Sequence, residues 1–230
     1  MVSALRFIHT VDGLPGWMWV VTVVVALYGV FLTWLDPGGA ETALGMLLLW
    51  QMLCASRGFA ERAAAGHYDP ILVSEQRWRL AVAHAAHGTV AVALAWVLVG
   101  ATELIRGGGR TLAFEPTRVA AFAFVSAASW AVSLRGRRLV AGSIWLALIF
   151  AMAASRFGLE QYATLLQRPV SPSQFAHALS FAVLCPFVLL DTEFPARTEV
   201  SVALGAMAVA TLAAGVAFVV RRNYPLESSV

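Results

Sequence analysis

WMWVVTVVVALYGVFLTWL, residues 17–35, is apolar from end to end and bracketed by Trp17, Trp19 and Trp34. An uncharged run of this length matches the hydrocarbon thickness of a bilayer, and tryptophans at its ends serve as interfacial anchors. Asp36-Pro37-Gly38-Gly39 stops it at once, since proline and glycine are poor helix continuers. The run is too long for a signal-peptide core and no small-residue cleavage site follows it, so it reads as a retained span.

The same pattern recurs along the chain. Hydrophobic residues make up 60% of the 230 and charged residues only 13%, far from the balance of a soluble domain. The expected fold is all-α: a polytopic membrane protein, one transmembrane domain over residues 1–230. Six spans are expected, at about 17–35, 42–55, 78–99, 118–134, 139–154 and 200–220. Arg106-Gly107-Gly108-Gly109-Arg110 marks a flexible loop, Arg135-Gly136-Arg137-Arg138 a tight basic turn, and Arg221-Arg222 a stop. Phe175–Leu190 is apolar, but it carries His177 and Pro186, with Asp191 and Glu193 just beyond. That composition fits a re-entrant or short-helix outer segment between spans five and six better than a further crossing.

Every basic residue is arginine, and their placement orients the bundle. An even number of spans leaves both termini on one side. That side holds Arg6, Arg57, Arg62, Arg77, Arg79, Arg135, Arg137, Arg138, Arg221 and Arg222. The other holds the smaller group Arg106, Arg110, Arg118, Arg156, Arg168 and Arg197, diluted by most of the acids. The positive-inside rule then makes both termini cytoplasmic.

The longest polar island, SRGFAERAAAGHYDPILVSEQRWRL at residues 56–80, falls on the cytoplasmic side in this topology. It has an alanine-rich helical half, a glycine stop at Gly66 and an Asp69-Pro70 turn, with a short apolar run before Arg77. Two readings fit. One is a docking element that presents charge and a few apolar residues to a groove on a partner. The other is a membrane-surface loop whose arginines are drawn to anionic lipids.

Other features carry less. His84 and His87 lie three apart in the third span, and His177 lies in the outer segment. Histidines within membrane helices ligate haem, relay protons or simply hydrogen-bond to neighbouring helices. The depths of these three do not match across facing helices, which favours the last. Ser126, Ser129 and Ser133 share a face of span four, and Ala206, Ala210 and Ala214 share a face of span six. Both stripes suit close helix packing within the subunit. Gln51 is the clearest strongly polar residue inside a span. No Asp, Glu or Arg lies at mid-membrane, which argues against a proton-coupled transporter or an ion channel. The GxxxxGK[ST] phosphate loop is missing, and Gly107-Gly108-Gly109 lacks its lysine. Cys54 and Cys185 fall near opposite faces and are not expected to pair.

In the island, Glu61-Arg62 is followed by Gly66-His67-Tyr68-Asp69-Pro70-Ile71-Leu72-Val73-Ser74 and then Arg77-Trp78-Arg79-Leu80. With the topology above, this resembles the membrane subunit of type-2 ABC exporters, the half-size six-span permeases that pair with a separate ATPase. The basic turn at 135–138 has a counterpart there, between spans four and five. The proline that follows the Leu-Leu-x-Ser run in that family is absent here. The resemblance implies a cytoplasmic coupling helix between spans two and three, with Arg57, Glu61, Arg62, Gly66, Asp69, Pro70, Leu72 and Arg77 as the partner-coupling residues. It also implies a permease subunit of the bacterial cytoplasmic membrane, exporting a hydrophobic or amphipathic substrate. Its partners are ABC ATPase subunits, a second permease subunit and membrane lipids, with no cofactor, no nucleic acid and no enzymatic activity of its own. The alternative is a haem- or quinone-associated, or structural, subunit of a membrane electron-transfer complex.

Overall fold

The turn signals and apolar periods of the sequence reappear as five helices in the computed structural model. It describes residues 16–36, 38–56, 59, 63, 77–107, 111–134, 172 and 198–221. The helices are α1 (Gly16–Leu35), α2 (Gly39–Ala55), α3 (Arg77–Gly107), α4 (Pro116–Ser133) and α5 (Thr198–Arg221), and no strand occurs among the described residues. Three of them, α1, α3 and α5, are long and apolar enough to cross a membrane. α2 is apolar but shorter, at 17 residues.

Local chemistry explains the ends. Asp36 accepts from the Gly39 amide at 2.9 Å and donates its own to Leu32 at 3.0 Å, so α1 turns directly into an antiparallel α2. Pro116 opens α4, where its missing N–H is no loss. Glu199 lies in the first turn of α5 and Arg221 in its last, each opposing the helix dipole. Hydroxyls inside the helices satisfy themselves. Thr22, Thr33, Thr89, Thr102 and Ser126 each donate to the carbonyl four residues back, at 2.8–2.9 Å. A polar side chain bonded in this way is tolerated where no water is available.

α2 is the hub of one half of the bundle. Leu44, Leu47 and Leu48 are fully buried there, among Ala26 of α1 and Val92, Trp96 and Val99 of α3. α4 packs most extensively on α5. α2 on one side and α5 on the other each touch both α3 and α4, whereas α3 and α4 touch one another least. That arrangement leaves a gap between α3 and α4.

The end of the bundle bearing Arg77, Arg79 and Arg221 is here the arginine end. The opposite end is closed by directed polar bonds. Arg106 donates to the carbonyls of Thr33 at 2.6 Å and Leu35 at 3.3 Å, capping α1. Glu103 accepts from the amides of Leu112 and Ala113 at 3.1 Å, and the Trp96 indole donates to the Ala113 carbonyl at 2.8 Å. Arg118 is ion-paired with Glu115, and the hydroxyls of Thr117 and Ser201 join α4 to α5 at 2.8 Å.

Three expectations are amended. α3 continues through Arg106 and Gly107, where the sequence suggests a loop, because Thr102, Glu103 and Arg106 all find partners that hold the last turns. α2 begins at Gly39 rather than near residue 42. The expected place of Arg118 at the start of span four stands, and it is buried there beside Glu115. The Ala206, Ala210 and Ala214 stripe of α5 is exposed, and the buried face is Val200, Leu204, Ala208, Gly215 and Val219. Span 139–154, the basic turn at 135–138 and the 175–190 segment lie outside the described residues.

Candidate functional site

At the arginine end the island is rooted in the bundle. Phe59 and Ala63 are helical and four residues apart, which sets them on one helical face. Both are buried, at 0% and 1% exposure. They enter a socket built by Leu80 of α3, Trp130 of α4, Leu134 just beyond α4, and Val219 of α5. The Phe59 ring meets the His84 imidazole edge-on, with centroids 5.1 Å apart and planes at 84°. The Trp130 indole N–H donates to His84 Nδ1 at 3.2 Å. An Nδ1 that accepts puts the proton of the neutral ring on Nε2.

Two glycines make these contacts possible. A Cβ on Gly215 would run into the Trp130 ring and come within 3.1 Å of Leu134, so only glycine lets α5 lie flat over the indole. A Cβ on Gly88 would approach the Cys54 carbonyl at 3.2 Å, and its absence brings α3 close to the end of α2.

Of the coupling residues expected from sequence, Arg77 is the first residue of α3 and half-buried. Arg57, Glu61, Arg62, Gly66, Asp69, Pro70 and Leu72 lie outside the described residues. Sequence reasoning passed over Phe59, the one aromatic in the island's alanine-rich half, and with it Trp130 and Leu134. The signal was there in the Phe59–Ala63 spacing, an aromatic with an alanine at i+4 in the alanine-rich half of the island.

Above the socket, the gap between α3 and α4 opens into a cleft of about 380 Å³, closed behind by α5. Its wall is almost wholly apolar. Ala85 and Ala86 of α3, Phe122 and Ala123 of α4 and Val216 of α5 are typical of it. The two hydroxyls that face it, Thr89 and Ser126, both donate to their own helix. Ala85 and Val216 also pack against the socket, so the floor of the cleft is the roof over Phe59.

Gln51 braces the wall from behind. Its Nε2 lies 3.2 Å from Thr89 Oγ1. Because that hydroxyl gives its proton to Ala85, the amide must be the donor and its Oε1 faces elsewhere. Gln51 Oε1 and Ser129 Oγ are both buried with no hydrogen-bond partner, a cost of about 1–3 kcal/mol each. Ser126, Ser129 and Ser133 are all buried on α4, in keeping with a packing face.

No family model, no curated protein and no solved structure matches this chain.

Proposed function

We propose that the chain is the membrane-spanning permease subunit of an ATP-driven exporter, whose residues 56–80 couple the spans to a separate cytoplasmic ATPase. The observation that carries this reading is the seating of Phe59 and Ala63 in the socket of α3, α4 and α5. A coupling element has to pass force from a soluble partner into several spans at once. An island rooted by a fully buried aromatic among three helices meets that need, and a loop lying loose on the headgroups does not.

In this reading α2 and α4 cross the membrane together with α1, α3 and α5, a sixth span falls at about 139–154, and both termini are cytoplasmic. Gly66 ends the coupling helix, and Asp69-Pro70 aims Ile71 and Leu72 at the ATPase. A half-size bundle does not enclose a path alone, so a second permease completes the translocation route for a hydrophobic or amphipathic substrate. The Trp130 indole holds the His84 ring at Nδ1, in keeping with a histidine hydrogen-bonded to a neighbouring helix.

The test is reconstitution with an ABC ATPase subunit. Gly66→Val combined with Asp69→Ala is expected to leave the protein inserted and dimeric while substrate-stimulated ATP hydrolysis falls. Unchanged stimulation defeats the coupling role. A haem absorption band in the purified chain would establish the electron-transfer alternative instead. Labelling checks the topology: a cysteine introduced as Ser229→Cys should resist an impermeant reagent in intact cells, and reaction there overturns it.

A further inference from the structure

We propose that the cleft between α3, α4 and α5 is a lipid site that takes one alkyl chain of an anionic membrane lipid, with the headgroup held at the arginine end. This goes beyond the exporter reading and stands on the cleft and its charges alone.

The chain portion follows from size and wall chemistry. The cleft of about 380 Å³ runs about 10 Å along α3, from Val82 to Thr89, which gives room for a segment of one alkyl chain. No charged side chain lines it, and Thr89 and Ser126 spend their protons on Ala85 and Phe122. The wall therefore offers no free donor, and a polar group placed there would go unsatisfied at real cost. An unbranched hydrocarbon asks for nothing else. The alanines at 85, 86 and 123 supply the narrow, smooth wall such a chain needs.

The headgroup portion follows from position. On α3 the cleft spans Val82 to Thr89, about 10 Å along the helix axis. Arg79 lies one turn before Val82, with its guanidinium over the Trp78 ring at 5.3 Å. On α5 the cleft is lined by Leu212 and Val216, and Arg221 follows, exposed, at the end of the helix. The cleft thus leads toward arginines at one end. At the other lies the latch of Glu115, Arg118, Thr117 and Ser201, with Glu103 and Glu199 at the same end, where an anionic headgroup would meet carboxylates. A chain in the cleft puts its phosphate beside Arg79 and Arg221, where each arginine near an anionic surface favours it by about fivefold. Neutral lipids gain only the chain contact.

The experiment uses the purified full chain in nanodiscs, with no ATPase present. Phosphatidylglycerol and phosphatidylcholine probes carry a diazirine on one acyl chain, and mass spectrometry maps the crosslinks. Crosslinks are expected to concentrate on residues 85–89 and 122–127, and to be several-fold stronger with the phosphatidylglycerol probe. Ala86→Leu or Ala123→Leu should lower them, by about fourfold for each methylene excluded, while Val209→Leu on the exposed face of α5 should not. Arg79→Gln with Arg221→Gln should erase the preference for the anionic probe and keep the crosslink positions. Displacement of the probe from wild-type protein by unlabelled phosphatidylglycerol supports the site without any variant. Crosslinks spread evenly over the exposed faces of α1 and α5 overturn it. So does insensitivity to both leucine substitutions, or equal labelling by the two probes.

Discussion

The two ends of this bundle are closed by different physics. Away from the arginines, Arg106, Glu103 and the Thr117–Ser201 pair tie helix ends together with directed bonds, many of them to backbone, and Arg118 pairs with Glu115 within the first turn of α4. At the arginine end, the socket around Phe59 is apolar and edge-on, with the Trp130–His84 hydrogen bond as its directed link. Directed bonds resist small displacements because their energy falls steeply with angle. Apolar contacts are roughly proportional to buried area and tolerate sliding. The proposed coupling role asks for this division of labour, with force entering at one end and the helices held together at the other.

The comparison breaks most visibly at Phe59. Phe59→Ala empties the socket and should cost about 3–5 kcal/mol, seen as a lower thermal unfolding midpoint in detergent, and under the proposed function it should abolish ATPase coupling as well. A wild-type midpoint would mean that the socket closes without its plug. Next comes Arg118→Ala, which removes the charged partner of Glu115 and should cost about 1.5–3 kcal/mol. Its stability loss should leave coupling intact, since it lies at the fastened end. Coupling lost in proportion to stability would erase the distinction between the two ends.

Trp130→Phe keeps most of the ring and removes the donor to His84, so about 1–2 kcal/mol is expected. Because the indole packs beneath Gly215, this variant separates the hydrogen bond from the packing, and Phe59 should remain seated. Protease sensitivity of the 56–80 segment reports on that. The smallest effect is at Thr117→Val, about 0.5–1.5 kcal/mol for one hydroxyl pair, with no change in coupling.

Much of the fold was legible because helix ends are written locally. Asp36 to Gly39 and Arg221 mark boundaries that the helices respect to within a few residues. α3 outran its reading because a glycine at its end is tolerated once Glu103 and Arg106 find backbone partners, and those partners lie on other segments. The alanine stripe of α5 misled for a related reason. Small residues recur on more than one face of an apolar helix, and which face is buried depends on Trp130 meeting Gly215, a pairing of distant positions. The socket was half legible: the spacing of Phe59 and Ala63 was visible, but its lining comes from residues separated by most of the chain.

α3 has one more consequence. At 31 residues it is about 46 Å long, against a hydrocarbon layer of about 30 Å. Arg77 and Arg79 guard one end of its apolar stretch and Glu103 and Arg106 the other. From Leu80 to Thr102 the helix is free of charge, and that length nearly equals the layer. Sliding it along its axis by more than about one turn would drag a charge into lipid, at about 2.5–3.5 kcal/mol or more. α3 is therefore no piston. In the proposed coupling role, a stroke passed from Phe59 to α3 is spent as tilt or as rotation about its own axis.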